Sequence, residues 1–118
     1  MWRPDAARTL AEAYSATAYG DIEEMLADGS IDIVSITTPT PYHKECVLKA
    51  AAAGKHVFCE KPIAMTVEDG LEMTEACRRA GVVFMVGHVL RYFPEYASAK
   101  KLIEDGAVGK VGMVRTSR

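Results

Sequence analysis

"IDIVSITTPTPYHKECVLKAAAAGKHVFCEKP", residues 31–62, decides the fold. It opens on a β-branched run, Ile31 to Thr38, with little polar alternation, which is the pattern of a strand covered on both faces. Thr40 is placed to cap a helix and Pro41 to take its first position, so "TPYHKECVLKAAAAG" reads as a helix closed by Gly54. "KHVFCE" then returns to a second buried strand. Two buried strands separated by one helix and short loops call for parallel pairing, with the helix carrying the chain back to the starting edge.

Working outward, the same alternation continues. Thr66 and Asp69 start a helix that runs to about Ala80 and is closed by Gly81, and "VVFMVG" reads as a third buried strand. Pro94 opens a helix through about Glu104, after which "GKVGMVRTSR" reads as a strand that begins something new. Toward the N-terminus, Ala6, Leu10, Ala13 and Tyr14 recur at helical spacing over residues 4–15. A short strand is expected at Ala16 to Tyr19, followed by a helix capped by Asp21 and Glu24 and ended by Gly29. The fold class is therefore α/β, an open parallel sheet flanked by helices, with a domain boundary near Gly106 to Gly109 that divides the chain into 1–106 and 107–118.

Composition removes several functions. Of the 118 residues 49% are hydrophobic and 25% charged, ordinary values for a globular domain. Fourteen Lys and Arg against sixteen Asp and Glu give a formal charge of −2, which supplies no footprint for a nucleic-acid backbone. No apolar stretch approaches the roughly 20 residues that cross a bilayer, and the N-terminus lacks the pattern of a signal peptide, so a cytoplasmic location is expected. Cys46, Cys59 and Cys77 are too widely spaced for a zinc or disulfide framework and read as buried thiols, and the three histidines show no metal spacing, so no metal is assigned.

In an open parallel sheet, ligands bind beyond the carboxyl ends of the strands, and the residues there are the informative ones. Three clusters qualify: Thr37 to His43, Glu60 to Pro62, and Gly87 to Tyr92. The helix near Pro41 would turn free N–H groups toward the crevice, with His43 in its first turn either facing a ligand or simply solvated. Lys61, followed by proline, is held extended at the strand end, so a long amine is aimed into the crevice. In a partly dry crevice it would donate to a substrate oxygen or lose a proton more easily than a solvated lysine, with Glu60 accepting from a ribose or orienting it; the bland alternative is a salt-bridged strand end. Gly87 would permit a close approach, His88 titrates near neutral pH, and Arg91 is a fixed cation. His56, at a strand start, reads as structural.

Together these clusters resemble the Gfo/Idh/MocA family of NAD(P)-dependent oxidoreductases. "TTPTPYHKECVLKAAAAGKHVFCEKPIAMTVEDG" is similar to its TP loop, His-bearing helix, AGKHV and EKP motifs, and "VVFMVGHVLRYFPEY" to its VG-x-x-x-RF segment. The resemblance implies a Rossmann domain followed by a mixed-sheet domain, NAD or NADP as cofactor, and hydride transfer at a sugar or polyol carbon. It implies that Thr37, Thr38 and Pro39 line the cofactor, His43 lies close to it, Glu60 approaches the nicotinamide ribose, Lys61 contacts the reacting hydroxyl as the catalytic residue, and Arg91 falls near the nicotinamide end. It also implies a cis Lys61–Pro62 bond. Family members begin with a strand, a G-x-G-x-x-G turn, a helix and a second strand; none of these stands before Met1, so a partial sheet lacking its first two strands is expected. Unpaired edges of such a sheet favour association, so a homo-oligomer is expected, and the alternative to an enzyme is a non-catalytic NAD(P)-sensing or scaffold module.

Overall fold

The structure, a computed structural model, describes residues 4–115. Its three strands are β1 (Ile33–Ile36), β2 (His56–Cys59) and β3 (Phe84–Val86), all parallel and in that spatial order. Val34 pairs with Val57 and Ile36 with Cys59, so the four side chains share one face; Cys59 continues the register to Val86. The helices are α1 (Pro4–Ala13), α2 (Ile22–Ala27), α3 (His43–Ala52), α4 (Val67–Ala80) and α5 (Pro94–Glu104). The chain divides into two compact units, Met1–Gly87 and His88–Arg118.

In the first unit the core forms where α3 and α4 lie against that shared face. Val47, Ala50 and Ala51 of α3 and Met73 and Cys77 of α4 pack with Val34, Ile36, Val57 and Cys59, all nearly sealed from solvent. Small alanines let α3 approach the sheet, and each fully buried Val or Met contributes about 1.5–3 kcal/mol. The expectation that the strands are covered on both faces does not hold among the described residues. Ile33 on β1 is 63% exposed and Met85 on β3 40%, because both crossover helices run over the same face.

Local signals explain most element ends. Thr66 Oγ1 accepts from the Asp69 N–H at 3.1 Å to start α4, and Gly81 closes it at φ +69°. Asp21 Oδ1 accepts from the Glu24 N–H at 2.7 Å, while the Gly20 N–H donates to Glu24 Oε2 at 2.7 Å. Three expectations need correction. Ala16 to Tyr19 form no strand, since the edge of β1 is free of pairing among the described residues and a strand exists only with a neighbour. Gly29 does not end α2: the helix stops at Asp28, whose carboxylate accepts from both the N–H and the hydroxyl of Ser30 at 2.7 and 2.6 Å. Thr40 makes no side-chain cap; it begins a 3-10 turn, Thr40–Tyr42, that leads into α3.

The second unit consists of a 3-10 turn at Val89–Tyr92 and α5, which Pro94 opens in its first turn. Residues 107–115 carry no strand, and residues 116–118 of the expected strand lie outside the described residues. Among the described residues no helix is long and apolar enough to cross a membrane.

Candidate functional site

β1 and β2 end side by side, and the segments that leave them carry two of the three clusters. The Glu60 N–H donates to Ile36 O at 2.9 Å, extending the pairing one step beyond β2, and the Gly87 N–H donates to Cys59 O at 2.8 Å on the other side. The Cys59–Glu60 peptide is thereby fixed by main-chain bonds to both neighbouring strands' ends, its N–H to one and its carbonyl to the other. Its carboxylate does not pair with the ammonium of Lys61. Instead Oε2 accepts from the Lys61 main-chain N–H at 3.0 Å, so the acid holds the backbone of the lysine it precedes. The salt-bridged strand end is not what forms. Lys61 extends from this point with its side chain exposed, and among the described residues its Nζ has no hydrogen-bond or ion-pair partner. The Lys61–Pro62 bond is cis.

Gly87 is buried against this corner. A Cβ there would stand 3.2 Å from the Phe58 ring, a tight approach, and 3.5 Å from Glu60 Oε1, an ordinary contact, so the missing side chain makes room chiefly for the ring. The close approach expected at Gly87 is thus made by a neighbouring side chain.

Thr37, Thr38 and Pro39 are exposed at the end of β1. The sequence offered no sign of what ties them to Lys61. His43 is neither solvated nor open to a ligand: its ring is 1% exposed, with Nε2 2.8 Å from Thr38 O and Nδ1 3.1 and 3.3 Å from Pro62 O and Ile63 O. Ile63 then packs toward Gly70 of α4, where an added Cβ would meet it at 3.7 Å. Lys44 ties the same corner from outside, bonding Asp69 and Glu72 at 2.7 Å each; Lys44 and Thr66 together hold the Asp69 carboxyl below its usual range. Ile63, Gly70 and Lys44 went unnoticed in the sequence, because an isoleucine, a helical glycine and a surface lysine carry no motif.

The cysteines take no part. Burial pushes the Cys59 thiol up to about 11 and raises Cys46 and Cys77, so none is a ready thiolate. His56 is structural, accepting from the Val83 N–H at 3.0 Å. Among the described residues no group of three His, Cys, Asp or Glu side chains is placed to hold a metal ion. His88 and Arg91 belong to the second unit, Arg91 on the turn Val89–Tyr92.

An apolar groove of about 860 Å³ runs along the open flank of β1, bounded by α1, the segment 16–22 and the two threonines. The groove meets the end of β1 at Thr37 and Thr38 and does not extend to Glu60 or Lys61.

Residues 2–88 match the profile of the GFO_IDH_MocA family, described as an oxidoreductase family with an NAD-binding Rossmann fold. The chain belongs to this family. Among similar Gfo/Idh/MocA proteins, 2,7-anhydro-N-acetylneuraminate hydratase of Escherichia coli is 37% identical over 118 residues, all of this chain and 32% of its own length. Levoglucosan dehydrogenase, solved with NADH and levoglucosan, superposes with a TM-score of 0.84 at 38% identity over 92% of this chain and 30% of that one. The WlbA dehydrogenase from Bordetella pertussis, solved with NADH and UDP-GlcNAcA, gives 0.87 at 35% identity over 92% of this chain and 31% of that one. The chain thus spans about a third of the length of the Gfo/Idh/MocA relatives it matches.

Proposed function

We propose that this chain is the strand-end half of an NAD(P)-dependent oxidoreductase site acting on a secondary hydroxyl of a sugar or polyol. The observation that carries the reading is the corner at Glu60–Lys61: an acid bonded to the main chain of an extended lysine, beside an exposed threonine loop. NAD(P), when bound, accepts or supplies the hydride. Thr37, Thr38 and Pro39 flank it, and the exposed hydroxyls with the Glu60 carboxylate are the donor and acceptor types that a ribose needs. Lys61 is assigned as the catalytic residue: its exposed amine, without a polar partner among the described residues, would take the proton of the alcohol as the carbonyl forms, or return it in the reverse direction. Arg91 is assigned to the nicotinamide end on the sequence pattern alone. A net charge of −2 and the family's oxidoreductase description favour a small-molecule substrate over any nucleic-acid role; the proposed enzyme is cytoplasmic and homo-oligomeric, the latter supported by the unpaired edge of β1 among the described residues.

The test is a substrate screen on the full-length protein with NAD(H) and NADP(H), reading both absorbance of the reduced cofactor and the product by NMR, since one relative is named a hydratase. Turnover of a sugar or polyol, with kcat lowered about 10²–10⁴-fold in Lys61→Ala, supports the proposal. Cofactor binding without turnover of any sugar or polyol would favour a sensing module instead.

A further inference from the structure

His43 stands in the first turn of α3, and everything its ring touches through a polar atom is main chain. Nε2 lies 2.8 Å from Thr38 O; Nδ1 lies 3.1 Å from Pro62 O and 3.3 Å from Ile63 O. Carbonyls only accept, so both edges of the ring are turned toward acceptors. A neutral ring donates at one edge and a doubly protonated ring at both, so in either state it holds at least one of the two segments directly. Any buried histidine needs a partner at each ring nitrogen; what is particular here is that both partners are main-chain carbonyls on separate segments. This one reaches in opposite directions, to the loop that follows β1 and to the chain that leaves Lys61, and no other side chain bonds both among the described residues.

We infer that His43 is a positioning residue. Its ring fixes the Thr38 loop against the Pro62–Ile63 segment and so sets where Lys61 stands relative to a ligand held at Thr37–Pro39. Its 1% exposure keeps water from competing at whichever edge donates, and the ring itself fills the space between the two segments. The same main-chain bonds that make it a poor ligand contact make it an effective spacer. The inference rests on the reading above for its kinetic consequence and on geometry alone for the tie itself.

Two shorter or longer amides separate the edges. In His43→Asn the amide nitrogen falls near Nδ1 and keeps the Pro62–Ile63 bond; in His43→Gln it reaches toward Nε2 and keeps the Thr38 bond. Amide hydrogen exchange on the full-length protein reads the tie without any activity. His43→Ala is expected to speed exchange at least tenfold in both 37–42 and 61–66 while β2 stays protected; Asn restores 61–66 alone and Gln restores 37–42 alone. Exchange that rises evenly over the first unit, or in neither segment, overturns the tie. Kinetics then read the consequence: His43→Ala lowers kcat at least tenfold, and His43→Ala combined with Lys61→Ala is no worse than Lys61→Ala by itself. Full additivity of the two losses overturns the claim that His43 acts through Lys61. A wild-type protein that turns over nothing defeats the proposed function, and exchange alone then decides the tie.

Discussion

Glu60 has little freedom to choose where its carboxylate sits. Its N–H is spent on Ile36 O, one carboxylate oxygen on the Lys61 N–H, and the other faces the vacant side of Gly87. Gly87 adopts no left-handed conformation here, so an alanine meets only a steric penalty: the Phe58 ring at 3.2 Å must give way by a few tenths of an ångström, while Glu60 Oε1 at 3.5 Å would stand in ordinary contact. Gly87→Ala is expected to cost about 1 kcal/mol, the low end for overpacking. Glu60→Gln keeps the size of the side chain and removes its charge: if Glu60 holds the cofactor as proposed, KM for NAD(P) rises while kcat changes less; urea titration of the first variant and steady-state kinetics of the second check both. An unchanged KM would show that the carboxylate does not hold the cofactor. At this scale the sequence was partly legible. The run from Glu60 to Pro62 announces an aimed lysine, because proline restricts what precedes it. His43 did not announce its burial, since a first-turn histidine is solvated or sealed according to what the next loop does, and that loop lies nineteen and twenty residues away.

At the level of elements, capping chemistry was readable at both ends of α4 and at the start of α2, though not at Thr40. Thr66 bonds the Asp69 N–H and Gly81 takes φ +69°, as their spacing requires. Thr66→Ala is expected to cost about 1 kcal/mol, and Gly81→Ala about 1–2 kcal/mol for the left-handed backbone; chemical denaturation of the two variants should rank them in that order. The end of α2 was misread because the deciding group comes from elsewhere. Asp28 accepts from Ser30 and, at 2.6 Å, from the Tyr19 hydroxyl, while its main-chain oxygen accepts from Lys55 Nζ at 2.9 Å. The Ser30 bonds first and the Tyr19 bond next hold its carboxyl down to about 2, below its ordinary 3.8. A carboxyl depressed on folding stabilises above its unfolded value and loses that contribution as pH falls through the folded one. Stability should therefore decline between about pH 4 and pH 2, and Asp28→Asn should flatten that limb in acid titrations followed by circular dichroism. A limb of unchanged steepness would assign the acid sensitivity to other carboxylates. The strand expected at Ala16–Tyr19 failed for a comparable reason: its residues suit extended chain, but only a paired neighbour makes extended chain a strand.

The first unit buries one side of a sheet and leaves the other open among the described residues. α3 and α4 seal Val34, Ile36, Val57 and Cys59, while Ile33 and Met85 remain exposed and β1 presents an unpaired edge beside an apolar groove. The apolar run from Ile31 to Thr38 led to the expectation of a strand covered on both faces, which does not hold among the described residues, because a sequence pattern states what a strand can bury and not what arrives to bury it. Exposed apolar surface next to free main-chain donors and acceptors is the arrangement that soluble proteins avoid, because it templates pairing with another chain. The 118-residue chain on its own is therefore expected to associate at micromolar concentration and to bind an apolar dye, and Ile33→Lys, which puts a charge on the open face without touching the core, should shift it toward monomer. Sedimentation velocity decides the matter: a monodisperse monomer in the unmodified chain, or association indifferent to Ile33→Lys, would mean that the open face and edge of β1 are not what draws copies together.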